Sequence, residues 1–148
     1  MISKIMPFST SFRNRIEYEF AARKKDKEKI NYVEYVGGNV VSENPYFEAM
    51  VDGKRKVFVD VEPIIQEFES SVSLYKGSGE KICGHYVLNL KKGESLNRNE
   101  WLAAVHAYMR DLGYDETTKY VAVIHRDTGK EHVHIVTSRV RFGRAEHV

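Results

Sequence analysis

The sequence predicts an α/β fold of the α+β kind: a central, mostly antiparallel sheet with helices packed on its faces. Three observations carry this. Short runs rich in β-branched and aromatic residues alternate with segments of helical period. Two polar breaks, Asp52-Gly53 and the stretch 126–131 with its Gly129, are short enough to join antiparallel neighbours. A hydrophobic content of 42% over 148 residues suffices for a core of ordinary size.

Taken in order, residues 2–6 read as a first strand and residues 7–11, opened by Pro7, as a turn. From 12 to 30 the pattern predicts one helix, because Phe12, Ile16 and Phe20 recur every four residues. Residues 31–39, with Gly37-Gly38, form a strand or turn. Residues 48–51 and 57–61 flank Asp52-Gly53 as a hairpin. Pro63 suits the first turn of a helix to about 71, with Ile64, Ile65 and Phe68 on its apolar side. Residues 81–90 are a strand. Asn97 caps the next helix, Glu100 completes a capping box and Gly113 ends it. Its core-facing stripe is Trp101, Leu102, Val105, Met109 and Leu112. Two further strands, from 120 and from 132, close a single domain over 1–148.

Bulk properties narrow the function classes. No apolar run approaches the roughly 20 residues of a membrane helix, so no membrane partner is expected. The start, MISKIMPFSTSF, lacks a signal-peptide core, and the expected location is cytoplasmic. The single Cys83 cannot form an internal disulfide and reads as a small buried hydrophobe. Net charge is +2 but uneven: seven Lys/Arg against four acids over 13–29, six against three over 119–148, and seven acids against three bases over 41–70. Basic ends of this kind are weak support for a nucleic-acid partner.

The chemistry concentrates in the last two strands. Three of the six histidines fall within ten residues, at His125, His132 and His134. Alternation puts His132 and His134 on one face, and a loop over 126–131 sets His125 opposite His132, where paired Cβ atoms are roughly 5 Å apart. A lone histidine in a strand is ordinarily structural. Three converging on one face make a facial metal site with open positions, which a catalytic ion needs. Asp127 is either the carboxylate that orients one imidazole or a turn residue opening the loop. Tyr18 is a candidate nucleophile. It points away from the Phe12/Ile16/Phe20 stripe and has Arg15, which can clamp a phosphate, as a helical neighbour, with Tyr32 and Tyr35 close behind it as candidates. Arg126, Lys130, Arg139, Arg141 and Arg144 are candidate phosphate contacts. His85 shares strand parity with Val87 and either sits near the site or packs at a sheet end.

These motifs resemble a known family. His125-x-Asp127-Thr128-x3-His132-x-His134 is similar to the three-histidine motif of relaxases, the mobilisation nucleases of conjugative plasmids and integrative elements. Ser11-Phe12-x5-Tyr18 resembles that family's tyrosine motif. Gly84-His85-Tyr86-Val87-Leu88-x-Leu90 with Gly93-Glu94 looks like its intermediate strand. The resemblance implies an HUH-endonuclease-like fold and a nickase acting on single-stranded or supercoiled DNA at a transfer origin. It implies a 5′-phosphotyrosine intermediate on Tyr18 and a divalent ion on His125, His132 and His134. Mn²⁺ or Mg²⁺ rank first as that ion, and Zn²⁺, Ni²⁺ or Co²⁺ are able to occupy the site. It further implies accessory mobilisation proteins, a coupling protein of a secretion system and a bacterial host. Relaxases continue beyond this point, so a nuclease core cut short at its C-terminus is expected. Residues 46–60 have no counterpart in the resemblance and read as an extra hairpin. The rival readings are a rolling-circle replication initiator with the same chemistry, a phosphoesterase that activates water, and a non-catalytic, metal-containing module that binds single-stranded DNA.

Overall fold

The computed structural model describes residues 1–140 apart from 76 and 78. The first strand, β1 (Ile2–Ser9), runs through Pro7, where a turn was expected. Its pairing shifts register between Met6 and Ser9, a bulge, and β1 lies at the sheet edge, where a missing N–H is tolerated. Ser11 caps α1 (Phe12–Glu19) by accepting the Asn14 N–H at 3.0 Å. The four-residue repeat predicts helix to residue 30, but α1 stops at Glu19: Phe20 is its C-cap and Ala21 takes φ +57°. Beyond it, the charged run 23–29 has no apolar stripe to hold a helix against the sheet. It makes only short 3₁₀ turns, Lys24–Asp26 and Lys29–Tyr32.

After β2 (Val33–Gly38) come β3 (Tyr46–Val51) and β4 (Lys54–Val59), joined at Asp52-Gly53 with φ +52° and +77°, as a two-residue hairpin turn requires. Then follow α2 (Glu62–Ser71), β5 (Cys83–Asn89), α3 (Arg98–Asp111), β6 (Tyr120–His125) and β7 (His132–Ser138). The Asn97/Glu100 capping box is present at the start of α3. Leu112, expected in its apolar stripe, is instead the C-cap and is exposed.

The main sheet has the order β1-β5-β7-β6-β2, with every neighbouring pair antiparallel, and β3-β4 form a separate ribbon. At Gly38 a Cβ would fall 2.1 Å from the Tyr120 carbonyl oxygen, so only glycine lets β2 lie this close to β6. Helices cover both faces. Trp101, Val105 and Met109 of α3 pack on Leu88, Ala122, Ile124, Val133 and Ile135. Phe12, Ile16 and Phe20, with Ile64, Ile65 and Phe68 of α2, pack on Cys83, Val121, Val123 and Val136. Cys83 is fully buried, as its sequence context suggested. No helix among the described residues is long and apolar enough to cross a membrane.

Candidate active site

The β6–β7 hairpin fixes the histidines by register. His125 pairs directly with His132, and His134 pairs with Val123 on one side and Val87 on the other. Directly paired residues share a face, so all three imidazoles lie on the side covered by α1 and α2. Ring centroids are 4.3 Å apart for His125 and His134, 5.2 Å for His132 and His134, and 5.4 Å for His125 and His132. One nitrogen from each comes within 4.8 Å of the other two. The loop between them is anchored by the buried Glu131, whose carboxylate accepts from Trp101 Nε1, Leu96 N–H (3.2 Å), Ser95 Oγ (3.0 Å) and Arg126 Nε (3.2 Å). The hairpin register is thereby tied to α3 on the opposite face.

The end of α1 supplies what the sequence reading missed. The last carbonyls of a helix have no partner within it, and the Glu19 carbonyl accepts from His125 Nε2 at 2.7 Å. The Glu19 side chain, 1% exposed, turns toward the sheet. Its Oε2 is 3.0 Å from His134 Nδ1, and its Oε1 is 3.1 Å from Arg15 Nη1 and 3.7 Å from His85 Nε2. Burial disfavours its charge, but the close approach of His134 Nδ1 and the potential of His134, His85 and His125 prevail, and the carboxyl is held down to about 2. Glu19 lies three residues after Ile16, on the buried stripe of α1; an acid at a core position was the available signal. His85, ambiguous from sequence, is also buried, with Nε2 2.8 Å from His134 Nδ1. Burial, the largest cause, pushes His85 and His125 down to about 4 against the opposing pull of Glu19, so both are neutral at ordinary pH.

These contacts suit a divalent cation. Metal-bound imidazoles ordinarily donate their second nitrogen to a carbonyl or carboxylate. Here His125 Nε2 meets the Glu19 carbonyl, His132 Nδ1 the Lys130 carbonyl (3.2 Å), and His134 Nδ1 the Glu19 carboxylate and His85. This leaves Nδ1 of His125 and Nε2 of His132 and His134 for an ion. The C-terminal end of α1, the negative end of its dipole, favours positive charge here. Glu19, His85 and His134 also bring ligand atoms within 4.8 Å, but two of these residues are buried and bonded within the protein. The first set, with His132 and His134 partly exposed, is the one with access for a substrate.

Tyr18 immediately precedes Glu19 and is 43% exposed. Three cations gather at its ring: Arg23 at 4.4 Å, Lys29 at 4.9 Å and Arg15 at 5.7 Å from the centroid. The adjoining pocket is lined by Ser9, Thr10, Ser11, Asn14, Arg15, Glu17, Tyr18 and Arg23, and Arg15 Nε is buried there with no hydrogen-bond partner among the described residues. Of the rival tyrosines, Tyr35 is buried and pushed up to about 12 by that burial, whereas Tyr32 is exposed.

Other expected residues fall elsewhere. Asp127 is exposed on the β6–β7 loop, lining a pocket with Lys24, Lys29 and Tyr32, and among the described residues no hydrogen bond joins it to an imidazole. The loop carries its side chain outward, and Glu19 stands where a carboxylate was expected. Arg126 pairs with Glu34 (2.8 Å) and Glu131, while Arg139 bonds the Lys81 carbonyl (2.8 Å) and lies over Phe8, so both have structural partners. Lys130 is exposed. Arg141 and Arg144 lie outside the described residues. Arg23 and Lys29, beside Tyr18, were not singled out from the sequence because the 3₁₀ turns that bring them back were not foreseen.

In a comparison with known families, the sequence model described as "Relaxase: MobA/VirD2-like, nuclease domain" aligns with residues 48–147. That span contains His85 and the three clustered histidines and begins after Tyr18. No curated protein and no solved structure matches the chain.

Proposed function

The chain belongs to the MobA/VirD2-like relaxase nuclease family, and on that premise we propose that it nicks and rejoins one DNA strand at a transfer origin through a covalent bond to Tyr18. The observation that carries this is the junction at the end of α1: an exposed tyrosine among cations, followed by the residue whose carbonyl and carboxylate hold two of three converging imidazoles.

A divalent ion held by His125, His132 and His134, Mn²⁺ or Mg²⁺ in the cell, would polarise the scissile phosphate and offset charge on its oxygens. The protein's own groups do the rest. Arg15, whose Nε has no hydrogen-bond partner among the described residues, receives the phosphodiester in the pocket beside the ring, where Arg23, paired with Asp26, forms part of the wall. The Tyr18 hydroxyl oxygen attacks phosphorus, the strand's 3′-oxygen leaves as a hydroxyl, and a 5′-phosphotyrosine remains. The bond energy stays in the covalent link, so the free 3′-hydroxyl can reverse the step and reseal the strand. Glu19 and His85 act as positioning residues by setting the proton on His134. Asp127 remains a candidate only through its place in the motif, and Lys130 and Arg141 remain candidate strand contacts.

The test is a denaturing gel of a single-stranded oligonucleotide carrying the transfer origin, with Mn²⁺. A metal-dependent protein–DNA band should form with wild type, and vanish in Tyr18→Phe and in His132→Ala/His134→Ala. Cleavage that survives Tyr18→Phe without any band would point to activated water. Cleavage of a replication origin in place of a transfer origin would point to an initiator.

A further inference from the structure

We propose that the β3–β4 ribbon is a second nucleic-acid site, a platform on which bases of single-stranded DNA stack beside the groove leading to Tyr18. Its link to Tyr18 rests on the relaxase reading, but binding on the ribbon does not require cleavage.

The argument starts from alternation. The register sets Phe47, Ala49 and Val51 against Phe58, Lys56 and Lys54 on one side of the ribbon. That side carries two rings and two ammonium groups and no carboxylate. The opposite side behaves differently: Tyr46 and Val59 pack onto the core, and Glu48 pairs with Arg55 at 3.1 Å. Phe47 and Phe58 stack on each other, with centroids 5.7 Å apart and planes 21° apart, yet remain 52% and 37% exposed. The ribbon forms no part of the main sheet, and among the described residues neither Phe47 nor Phe58 belongs to a core cluster.

Exposed aromatic faces beside cations suit a single strand. Every base has a π-face that stacks on a phenyl ring, and every phosphate seeks a cation. The same positive charge disfavours pairing this side with that of a second copy. Continuity with the proposed active site supplies the direction. The groove between the ribbon and the segment after α1 is lined by Arg23, Lys27, Asn31, Arg55, Lys56 and Phe58, among others. Arg23 also lines the Tyr18 pocket, so groove and pocket share a wall. The acid in that wall, Asp26, is already held by Arg23, at 2.9 Å and 3.1 Å. The net negative charge of 41–70 does not describe this side: Lys54 and Lys56 lie near the ribbon tip with Asp52 in the turn, Glu48 pairs with Arg55, and Glu62 and Glu67 on α2 pair with Arg13 and Lys119.

The experiment is fluorescence anisotropy of the full chain with a labelled oligothymidylate of about 20 nucleotides, long enough to cover one such site. Chelator is present so that nothing is cut. Phe47→Leu/Phe58→Leu keeps apolar bulk but removes both rings, and affinity should fall at least about fivefold. An abasic strand of equal length should bind wild type more weakly than the oligothymidylate, and this difference should disappear in the double variant. Lys54→Gln/Lys56→Gln, which leaves the rings in place, should lower the salt slope by roughly one or more. Circular dichroism melts establish that each variant is folded. Unchanged affinity and an unchanged preference for bases in the folded leucine variant would overturn the proposal. So would a wild-type dimer, seen by sedimentation, that the variant converts to a monomer with DNA binding intact. The cleavage assay separates the two readings: ring-dependent binding without cleavage sinks the tyrosine mechanism and leaves the ribbon, and cleavage with ring-independent binding does the reverse.

Discussion

The two faces of the hairpin formed by β6 and β7 are made by alternate residues of the same two strands, and they differ sharply. Toward α3, Ala122, Ile124, Val133 and Ile135 are fully buried beneath Trp101, Val105 and Met109. Toward α1, the apolar run of Val121, Val123 and Val136 gives way at one end to His125, His132 and His134. One face is packed apolar surface over its whole length. The other exchanges packing for imidazoles, a buried carboxylate and an opening to solvent. The difference shows where stability and chemistry reside in this domain: α3 holds the hairpin's register through Glu131, and that register places the histidines on the other side.

The largest effect should come from the packed face. Trp101→Ala removes a fully buried ring and the donor to Glu131, and should cost about 3–5 kcal/mol in urea unfolding. A loss below about 1 kcal/mol would mean that α3 is not what holds the hairpin.

Acid should act next, and mainly on the other face. In the unfolded chain His85 and His125 take up protons near 6.5, but in the folded protein only near 4, and Glu19 likewise falls from 4.5 to about 2. In each case the unfolded state binds protons first. Stability is therefore whole above 6.5, falls as pH drops through the histidine window to about 4, and falls further as Glu19 is protonated below 4.5. Up to about 3 kcal/mol per imidazole is at stake. Melting temperatures in chelator from neutral pH to about 4 measure it, and a flat profile would erase the contrast between the faces.

A smaller effect separates two carboxylates. Glu19→Gln should weaken Mn²⁺ binding about 10- to 100-fold by calorimetry, because His134 loses its charged partner. Asp127→Asn should leave both metal affinity and stability nearly unchanged, within about 0.5 kcal/mol. Equal losses from the two would restore the loop aspartate as the orienting group.

Those two residues also mark how far the sequence could be read. The hairpin, its register and the convergence of three histidines are local facts, since strand alternation and a six-residue loop determine them. The helix cap at Asn97 is local in the same way. Glu19 meets His134 only because α1 stops and its end lies against a strand more than a hundred residues later. The one short-range sign of that stop is the loss of the apolar stripe after Phe20, and neither Ala21 nor the charged run after it supplies a glycine or proline to mark the place. Pro7 misled for the opposite reason: a strong local signal for a turn yields to edge-strand pairing through a bulge.

Tyr18 and Glu19 are consecutive, one turned to solvent and the other locked among imidazoles. On the proposed chemistry, a DNA strand joined to Tyr18 and drawn taut would load the end of α1 directly, and through one peptide unit the load would pass to Glu19 and the histidines. Attachment point and cage would then shift as one rigid piece, so tension on the strand would not pull the phosphotyrosine out of register with the groups that must reverse it.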